Sequence, residues 1–596
     1  MLKNNYKMEP KRIFDLLSRY KSKFKPKDDV LAAKENGSWK KFTIDEYIEN
    51  VNNVSYALLK LGIKKGDTVA SVSNNRPEWN FIDMGIQQIG AIHTPIYPTI
   101  SESDYKYILN HAEVRLVFIS SAELLAKIKH IFADVSTLTD IYTFNKIEGE
   151  KHFNELIELG KNNPEKETLE KIKDSVKPDD VATLIYTSGT TGNPKGVMLS
   201  HNNLLSNSIA VSYIPAFGEE GKGLSFLPLC HVYERMINYL YHYLGISIYY
   251  AQNMATISDN AKEIKPDMMT AVPRFLEKVY DKILNKGRKL KGVKKGIFFW
   301  AVNLAENYEL NGENGWWYEF KLKIADKLVL SKWREALGGN FKIIVSGGAA
   351  IQPRLARVFW SAKLPVYEGY GLTETSPVIA VTSTDSNGIK FGTVGPPLRG
   401  VEVKISDDGE VLCKSPGVML GYYNDKKLTD EVIDKDGWFY TGDVGVFEKE
   451  GQLRLTGRKK EIFKSSLGKY IAPQIIENIL KESPFIDNSM VVGENQKFAA
   501  ALIVPNFEHL KSWCNIKKID YPGNEEIIKE YVIRKRYQRE IEKCNKELGS
   551  PEQIRKFRFV DTEWSVETGD LSATLKLKRN VVQKKYQHLI DEIFKI

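Results

Sequence analysis

An apolar run at residues 181–186 that stops abruptly in a polar, glycine-rich turn constrains this chain more than any other feature. The run reads VATLIY and the turn reads TSGTTGNPKG, ending at Gly196. A short apolar run bounded by turn residues is typical of a buried β-strand. Glycines let backbone N–H groups approach a phosphate, hydroxyls add donors, and Lys195 contributes a compact positive charge. The segment predicts a strand followed by a phosphate-binding loop, but not a Walker loop, because the lysine precedes its glycine and follows a proline.

Further segments have the alternating strand and helix pattern of an α/β fold. Residues 67–73 and 115–120 have the pattern of strands, and residues 122–132 have that of an amphipathic helix. Residues 342–350 and 364–376 predict two more strands, each followed by a glycine-containing loop. Because α/β sheets bind ligands where their strands end, these two loops are further candidates for ligand binding.

The length of 596 residues predicts several domains, since roughly 150 residues per domain gives about three or four units. Residues 401–455 alternate strand patterns with turns, which predicts a small β-rich subdomain. Beyond Gly457 helices alternate with short strands. We therefore expect an α/β fold in which residues 1–456 form a large N-terminal domain of α/β layers, with the β-rich subdomain at about 401–456. Residues 457–596 are expected to form a small α+β C-terminal domain.

The composition excludes several classes of protein. The chain is 42% hydrophobic and 27% charged, which excludes wholesale disorder. Its four cysteines lack a CxxC pair, which favours a reducing cytoplasm over a disulfide framework or a zinc ribbon. Residues 1–29 lack the apolar core of a secretory signal, and the longest apolar stretches are interrupted or too short to cross a bilayer. We expect a soluble or peripheral cytoplasmic protein.

The net charge of +9 suits an anionic partner without identifying it. The chain has no repeat and no DNA-binding motif, so we expect no nucleic-acid partner. Basic residues concentrate between Lys286 and Lys295, just ahead of an Ile-Phe-Phe-Trp run at 297–300. Two interpretations stay open for this segment. It is either a solvated helix face or a membrane-surface element, in which lysines meet anionic lipid and aromatic rings lie at the interface.

The turn YTSGTTGNPKGV resembles the phosphate-binding signature of the acyl-adenylate-forming enzymes. Six further segments match motifs of that family in the family's order: LPLCHVYER (227–235), SGGAA (346–350), YEGYGLTETSP (367–377), YTGDVG (440–445), GRKKEIFK (457–464) and LSATLKLKR (571–579). The resemblance covers nearly the whole chain. VYEGYGLTETSP, GKYIAPQIIEN (468–478) and VPRFLEKVYDKI (272–283) are similar to the long-chain fatty acyl-CoA synthetases in particular.

The resemblance implies a nucleotide site built from several of these motifs. It assigns the β- and γ-phosphates to a loop that consists of Thr187, Ser188, Gly189, Thr190, Thr191, Gly192 and Lys195. Glu374 and Thr187 are the implied Mg²⁺ ligands, which is sensible because a hard cation prefers carboxylate and phosphate oxygens. The adenine-binding residues implied by the resemblance are Gly348, Ala349 and Ala350, with Tyr370 stacking on the ring and Gly371 and Thr373 in the same nucleotide-binding loop. Asp443, assisted by Arg458, is expected to accept both ribose hydroxyls.

Three further residues have implied roles in the chemistry. His231 lies beside the acyl and phosphate sites in the family. Lys576 matches the catalytic lysine that stabilises charge between the attacking carboxylate and the α-phosphate. Lys578 stays open as an alternative, because Ala573 and Leu575 depart from the proline and glycine common in the family. Lys460 matches the hinge about which a mobile C-terminal domain rotates between the two half-reactions.

The implied reaction joins a long-chain fatty acid to CoA with ATP and Mg²⁺, through acyl-AMP. Two alternatives remain. One is a ligase that passes the acyl group to a carrier-protein thiol, and the other is a nucleotide-sensing or scaffold protein without turnover. The presence of Lys195, Glu374, Asp443 and Lys576 argues against the second alternative.

Overall fold

The computed structural model describes residues 9–187, 193–383, 388–572 and 575–595. Its strands are β1 (Leu31–Glu35), β2 (Ser38–Phe42), β3 (Thr68–Val72), β4 (Ile92–Ile96), β5 (Val114–Ile119), β6 (Asp140–Thr143), β7 (Val181–Thr187), β8 (Lys195–Ser200), β9 (Lys222–Ser225), β10 (Ser247–Tyr250), β11 (Met268–Ala271), β12 (Ile343–Ser346), β13 (Val366–Gly371), β14 (Val378–Val381), β15 (Glu402–Ile405), β16 (Glu410–Lys414), β17 (Gly421–Tyr422), β18 (Phe439–Phe447), β19 (Leu453–Arg458), β20 (Phe463–Lys464), β21 (Tyr470–Ile471), β22 (Ile486–Val492), β23 (Ala499–Pro505) and β24 (Ile554–Phe559).

The α-helices alternate with these strands along the chain. They are α1 (Asp15–Lys23), α2 (Ile44–Lys60), α3 (Pro77–Gln88), α4 (Glu102–His111), α5 (Ala122–Ile128), α6 (Phe153–Asn162), α7 (Lys166–Ser175), α8 (His201–Ala210), α9 (Val232–Leu244), α10 (Ile257–Ile264), α11 (Pro273–Arg288), α12 (Gly292–Glu306), α13 (Trp316–Ala325), α14 (Ser331–Ala336), α15 (Pro353–Ser361), α16 (Lys426–Val432), α17 (Pro473–Leu480), α18 (Phe507–Lys517), α19 (Asn524–Ile527), α20 (Tyr531–Cys544), α21 (Arg579–Lys585) and α22 (Gln587–Phe594). Within the ranges that the structure describes, no helix is both long enough and apolar enough to span a bilayer.

Contacts between residues divide the chain into two compact units. The first comprises residues up to 351, 355–403 and 413–439, and the second comprises residues 352–354, 404–412 and those from 440 onwards. This division places much of the β-rich segment, residues 404–412 and 440–456, in the second unit. The domain boundary near residue 456 stays a prediction.

Two large sheets form the framework of the first unit. Over the described ranges, one has eight strands in the order β14-β13-β12-β11-β9-β10-β1-β2, and the other has seven in the order β17-β8-β7-β4-β3-β5-β6. Inner strands pair in parallel, as β3 does with β4 and β5. All five residues of β3 are buried, as expected for a parallel strand covered on both faces. The strands predicted at 67–73, 115–120 and 181–186 are confirmed as β3, β5 and β7.

Two predicted elements differ from the structure in detail. The helix predicted at 122–132 is α-helical as far as Ile128 and continues as a 3₁₀ helix over Lys129–Asp134. The β-rich segment contains the four-stranded sheet β15-β16-β18-β19, but α16 interrupts its strands. The Asp425 side chain accepts a hydrogen bond from the Leu428 backbone N–H, so it caps α16 at its first turn.

A fully buried polar network joins the seven-stranded sheet to α9. Asp83 on α3 and Arg235 on α9 form an ion pair in which neither side chain is exposed. The Tyr239 hydroxyl donates to Asp83 at 2.6 Å, and His93 Nδ1 lies 2.7 Å from the same carboxylate. Arg235 also donates to Thr183 Oγ1 on β7 at 2.6 Å. Burial alone raises the pKa of the Asp83 carboxyl, but the Arg235 charge and these hydrogen bonds outweigh it and hold that pKa well below its usual range.

Two buried histidines of the first unit make its stability depend on pH. His201 begins α8 and His242 lies in the last turn of α9, and each is 1% exposed. Burial lowers the pKa of each imidazole from 6.5 to about 4. Both rings are therefore neutral in the folded protein at neutral pH.

We expect His201 and His242 to lower the free energy of unfolding as the pH drops from 6.5 towards 4. Glu234 and Glu368 contribute with the opposite sign, because burial raises the pKa values of their carboxyls to about 7 and about 8. In that window the unfolded chain binds a proton at each of these histidines and the folded chain does not, so each contributes a loss of about 1.4 kcal/mol per pH unit. Urea unfolding at several pH values measures this slope. His242→Phe should remove one proton's share of the slope. A wild-type slope in His242→Phe would contradict the assignment.

Candidate active site

The predicted phosphate loop connects the two strands of a β-hairpin. β7 and β8 pair antiparallel, and their register places Thr187 opposite Lys195. Residues directly opposite in such a pair have Cα atoms about 4.5–5.5 Å apart, so these two predicted ligands lie side by side at the base of the loop. The loop residues Ser188, Gly189, Thr190, Thr191 and Gly192 lie outside the described residues. The hairpin thus brings together the hydroxyl and the ammonium group at the two ends of the loop.

An aromatic cluster fixes this end of the hairpin. The Tyr186 hydroxyl lies 2.7 Å from His111 Nδ1, and the His111 ring stacks on Tyr107 at 5.1 Å between centroids. A Cβ atom at Gly196 would lie 3.1 Å from the Tyr186 ring, which explains a glycine directly after Lys195. The cluster borders an open cleft of about 250 Å³, whose lining includes Lys195 and Gly196.

A tyrosine that the sequence analysis did not single out lies between two predicted site residues. β17 pairs with β8 and places Tyr422 opposite Val197. The Tyr422 hydroxyl donates to Glu374 Oε1 at 2.9 Å, and Lys195 Nζ lies 5.3 Å from the centroid of the same ring. Tyr422 therefore contacts both the predicted phosphate lysine and the predicted metal ligand. No local pattern could have indicated this, because Tyr422 and Glu374 are 48 residues apart in the sequence.

The backbone around Glu374 is closely held. Glu374 lies in the 3₁₀ turn Thr373–Thr375, and its carbonyl oxygen accepts the Met419 N–H at 2.8 Å. A Cβ atom at Gly371 would lie 1.7 Å from the Pro377 carbonyl oxygen, so no side chain fits at position 371. Contacts with the neighbouring backbone thus fix the position of the turn that carries the Glu374 carboxylate.

The donor chemistry of the site fits Mg²⁺ held together with a nucleotide. Glu374 offers a carboxylate and Thr187 offers a hydroxyl, and Mg²⁺ in phosphate-transferring sites is usually bound by one or two such ligands plus substrate phosphates. Over the described part of the chain, no group of three or more His, Cys, Asp or Glu side chains could hold a metal ion. One carboxylate and one hydroxyl leave most coordination positions of Mg²⁺ to phosphate oxygens and water, so this donor set suits a metal bound together with ATP.

The predicted adenine-binding loop follows the carboxyl end of β12. β12 and β13 run parallel, with Ser346 opposite Glu368, so the exposed segment 348–350 lies beside the Gly-Tyr-Gly end of β13. Gly348 has a φ of 82°, which lies in the region that favours glycine. Tyr370 is 8% exposed and pairs with Ala380 on β14. Its stacking on adenine stays a prediction, as does the contact of Ala349 and Ala350 with the ring.

His231 is held in one orientation at the start of α9. It is the N-cap residue of that helix, and its Nδ1 accepts the Tyr233 N–H at 3.1 Å. The proton of the neutral ring is therefore on Nε2, which leaves Nε2–H as the donor of this half-buried side chain. The neighbouring Cys230 is buried, and burial raises the pKa of its thiol. The role of His231 beside the acyl and phosphate sites stays a prediction.

In the second unit, two predicted ribose ligands lie on neighbouring strands. β18 and β19 place Asp443 opposite Arg458, with Arg458 Nε 3.6 Å from Asp443 Oδ1. Lys459 forms ion pairs with Asp408 at 2.6 Å and Glu410 at 2.7 Å, which ties the end of β19 to the β15–β16 turn. Lys460 follows in an exposed turn before β20. Its hinge role stays a prediction.

Lys576 lies in a turn just before Arg579, a half-buried arginine at the start of α21. Ser572 N–H donates to the Lys576 carbonyl at 2.7 Å, and Lys576 N–H donates to Ser572 Oγ at 3.0 Å. Arg579 donates to both carboxylate oxygens of Glu477 at 2.9 Å. Leu575 has a φ of 60°, the left-handed region that favours glycine, which gives a physical reason for the glycine common at this position in the family. Lys576 and Lys578 are both exposed, so the choice between them stays open.

Comparisons with known proteins agree with the motifs and the fold. The family described as AMP-binding enzyme matches residues 20–423, and the family described as AMP-binding enzyme C-terminal domain matches residues 461–596. The chain belongs to the AMP-binding enzyme family. The resemblance inferred from the motifs is thereby confirmed, and so is the α/β fold class.

Curated members of the AMP-binding enzyme family match almost the whole chain. A long-chain-fatty-acid–CoA ligase of Mycobacterium bovis is 33% identical, covering 94% of this chain and 93% of the relative. The peroxisomal long chain acyl-CoA synthetase 6 of Arabidopsis thaliana is 30% identical, covering 94% and 82%. The adenylation domain of a carboxylate reductase from Mycobacterium chelonae superimposes with a TM-score of 0.74 at 20% identity, covering 98% of this chain and 91% of that one. At this identity, the likeness to the carboxylate reductase domain shows a shared fold and no more.

Replacing Tyr422 by phenylalanine should raise the Mg²⁺ concentration needed for half-maximal nucleotide binding by about tenfold. The variant keeps the ring beside Lys195 but removes the hydroxyl that orients Glu374, and loss of such an outer partner typically costs about 10- to 100-fold in metal affinity. Binding of a fluorescent ATP analogue at increasing Mg²⁺ measures the effect without turnover. Tyr423→Phe is the matched control, since the structure gives Tyr423 a ring contact with His111 instead. An unchanged Mg²⁺ requirement in Tyr422→Phe would remove Tyr422 from the site.

Proposed function

We propose that this protein is a long-chain fatty acid–CoA ligase. It activates a fatty acid with ATP to acyl-AMP and pyrophosphate, and then transfers the acyl group to CoA as a thioester. The observation that carries the proposal is the grouping of Thr187, Lys195 and Glu374 around one hairpin and Tyr422. Relatives named as long-chain-fatty-acid–CoA ligases and acyl-CoA synthetases match nearly the full chain, which supports the same chemistry here.

The reaction gives the fatty acyl group a better leaving group, because AMP leaves its carbonyl carbon more readily than oxide leaves a carboxylate. A carboxylate oxygen of the fatty acid attacks the α-phosphorus of ATP and forms a new P–O bond. The bond from the α-phosphorus to the oxygen that bridges to the β-phosphorus breaks, and pyrophosphate leaves with that oxygen. The CoA thiol then loses its proton and its sulfur attacks the acyl carbonyl carbon. The C–O bond breaks and AMP leaves with the oxygen that came from the fatty acid. The nucleophile belongs to CoA, and the four protein cysteines are all buried, in agreement with a mechanism that needs no enzyme thiol.

Several residues of this chain have separate roles in acyl-adenylate formation, the first step. Lys195 and the Thr187 hydroxyl bind the β- and γ-phosphates, and Glu374 with Thr187 would hold Mg²⁺, whose charge would offset that of the phosphates. Lys576 contacts the attacking carboxylate and the α-phosphate, where negative charge concentrates in the transition state. His231 offers Nε2–H to an acyl or phosphate oxygen. Asp443 accepts the ribose hydroxyls, and the segment 348–350 lies along the adenine.

The length of the acyl chain and the location of the enzyme are the last two parts of the proposed function. Each buried methylene contributes about 0.8 kcal/mol, so a long acyl chain supplies much of the binding free energy of the substrate. We place the enzyme in the cytoplasm, with peripheral contact to a membrane through the basic segment Lys286–Lys295. The structure puts these six cations at the end of α11, in the connection and in the first turn of α12.

Pyrophosphate release with a panel of acids from acetate to oleate tests the proposed function. Release with palmitate or oleate and MgATP, followed by thioester formation when CoA is added, is the expected result. Release only with acetate or an aromatic acid would remove the long-chain assignment. Thioester on an added carrier protein but not on CoA would favour the carrier-protein ligase, and no release with any acid would favour the binding protein.

A further inference from the structure

The predicted catalytic lysine lies on a short hairpin whose two arms are joined by backbone hydrogen bonds. The Ser572 N–H donates to the Lys576 carbonyl oxygen at 2.7 Å, and the Lys578 N–H donates to the Asp570 carbonyl oxygen at 2.9 Å. The Lys576 N–H in turn donates to Ser572 Oγ at 3.0 Å. Because the arms are paired, the position of the first arm determines that of the Lys576 backbone. We call residues 570–572 and 575–578 the lysine hairpin.

An ion pair fixes the base of the lysine hairpin to the helix that follows it. The Asp570 side chain is 0% exposed, and its two carboxylate oxygens accept hydrogen bonds from Lys585 Nζ at 3.0 and 2.9 Å. Lys585 is the last residue of α21, which begins at Arg579 directly after the hairpin. The Thr568 hydroxyl donates to the same carboxylate at 2.7 Å. The hairpin and α21 thus form one closed stretch of chain, and the ion pair joins its two ends.

Apolar packing holds the middle of the lysine hairpin and leaves its lysines exposed. Leu571 lies opposite Leu577 in an antiparallel bridge. Leu571 is buried in one cluster with Val582 of α21, and Leu577 packs against that cluster. Lys576 and Lys578 alternate with these apolar residues along the second arm and are exposed. The leucines and the ion pair therefore fix the frame that carries both exposed lysines.

An ion pair with one fully buried partner differs from an ordinary surface pair. Two exposed charges contribute little to stability, whereas a buried carboxylate that loses its cation must move or admit water. Partial burial alone would lower the pKa of the Lys585 ammonium, but the hydrogen bond to Asp570 raises that pKa above its usual value. Lys585 is therefore charged at neutral pH. Removing its charge should displace Asp570, and with it the arm that is hydrogen-bonded to Lys576.

We propose that Asp570 and Lys585 are positioning residues that hold Lys576 in place for acyl-adenylate formation. Neither residue needs to touch a substrate, because both act through the lysine hairpin. A step that depends on one ammonium group aimed at developing charge is sensitive to the position of that group, and a displacement of about 1 Å can lower a rate by about 100-fold. The inference rests on the proposed function and on the role that it gives to Lys576.

Pyrophosphate release in a single turnover with palmitate and MgATP tests this inference in the full chain. Lys585→Met removes the charge and should lower the rate by about 10- to 100-fold, with little change in the ATP concentration that gives half the maximal rate. Lys585→Arg keeps a cation for Asp570 and should recover most of the rate. In a Lys576→Ala background, Lys585→Met should lower the remaining rate by less than about twofold, because the group through which it acts is already absent.

Two further measurements separate positioning from a general loss of structure. Thioester formation from supplied palmitoyl-AMP and CoA does not use Lys576 in the proposed function, so Lys585→Met should leave its rate unchanged. Lys543→Met is the control variant, because Lys543 also pairs with a buried carboxylate of the second unit, that of Glu540 at 3.6 Å, and it should release pyrophosphate like the wild type.

Three results would overturn the positioning role of Asp570 and Lys585. They are unchanged pyrophosphate release in Lys585→Met, an equal loss of thioester formation in that variant, and a full further loss in the Lys576→Ala background. If the wild type released no pyrophosphate with any acid, the proposed function itself would fail, and this inference with it.

Discussion

Lys576→Ala should lower the rate of acyl-adenylate formation by about 10²- to 10³-fold, the usual cost of losing one group aimed at charge that develops in a transition state. The side chain is exposed, so the variant should fold like the wild type. Pyrophosphate release in a single turnover measures the step, and the KM for ATP should change far less than kcat.

Lys578→Ala is the matched control for this prediction. Lys578 is equally exposed two residues away, and its backbone N–H donates to the Asp570 carbonyl at 2.9 Å, so both variants disturb the turn to a similar degree. Near-wild-type release in Lys578→Ala together with the loss in Lys576→Ala would assign the role to Lys576. The reverse pattern would assign it to Lys578 and contradict our assignment.

Arg235→Met should destabilise the first unit by about 3–5 kcal/mol. The substitution leaves the Asp83 carboxylate without its cationic partner in a site where both side chains are 0% exposed, and an uncompensated buried charge costs about that much. The same change removes the hydrogen bonds from Arg235 to Thr183 and Tyr239. Urea unfolding at neutral pH measures the effect as a lower midpoint.

An exposed ion pair provides the comparison for Arg235. Arg454→Met removes a 2.6 Å contact with Glu448 from a side chain that is 46% exposed, and we expect a loss of at most about 1 kcal/mol. The double variant Arg235→Met/Asp83→Leu should recover much of the loss, because it removes the unpaired charge. Similar unfolding midpoints for Arg235→Met and Arg454→Met would contradict a structural role for the buried network.

The sequence predicted those parts of the protein that local patterns determine. The apolar run at 181–186 and the glycine-rich turn after it identified β7 and the ends of the phosphate loop, because burial on both faces requires a continuous apolar strand. The motifs predicted the family, and with it the fold class. The pairing of Thr187 with Lys195 was not predicted, because the sequence indicated the strand before the loop but not the strand β8 after it.

Contacts between distant residues could not be predicted in this way. Tyr422 contacts Glu374 and Lys195 only because the short strand β17 joins β8, a pairing that no spacing in the sequence indicates. The exposed apolar side of α13, with Trp316, Trp317 and Phe320, was also missed. Its residues have the helical periodicity of a buried stripe, and only the packing of α12 against the opposite face shows which side is left exposed. The membrane interpretation of the basic segment would place Phe298 at an interface, but Phe298 is 8% exposed in the core.

An oxygen isotope can show whether the fatty acid is activated as an acyl-adenylate. Palmitate labelled with ¹⁸O in both carboxylate oxygens is converted with MgATP and CoA, and the products are analysed by mass spectrometry. Attack of the carboxylate on the α-phosphorus predicts one ¹⁸O atom in each AMP and one in each palmitoyl-CoA. Label in inorganic phosphate, with ADP as the nucleotide product, would show attack on the γ-phosphorus and rule out an acyl-adenylate.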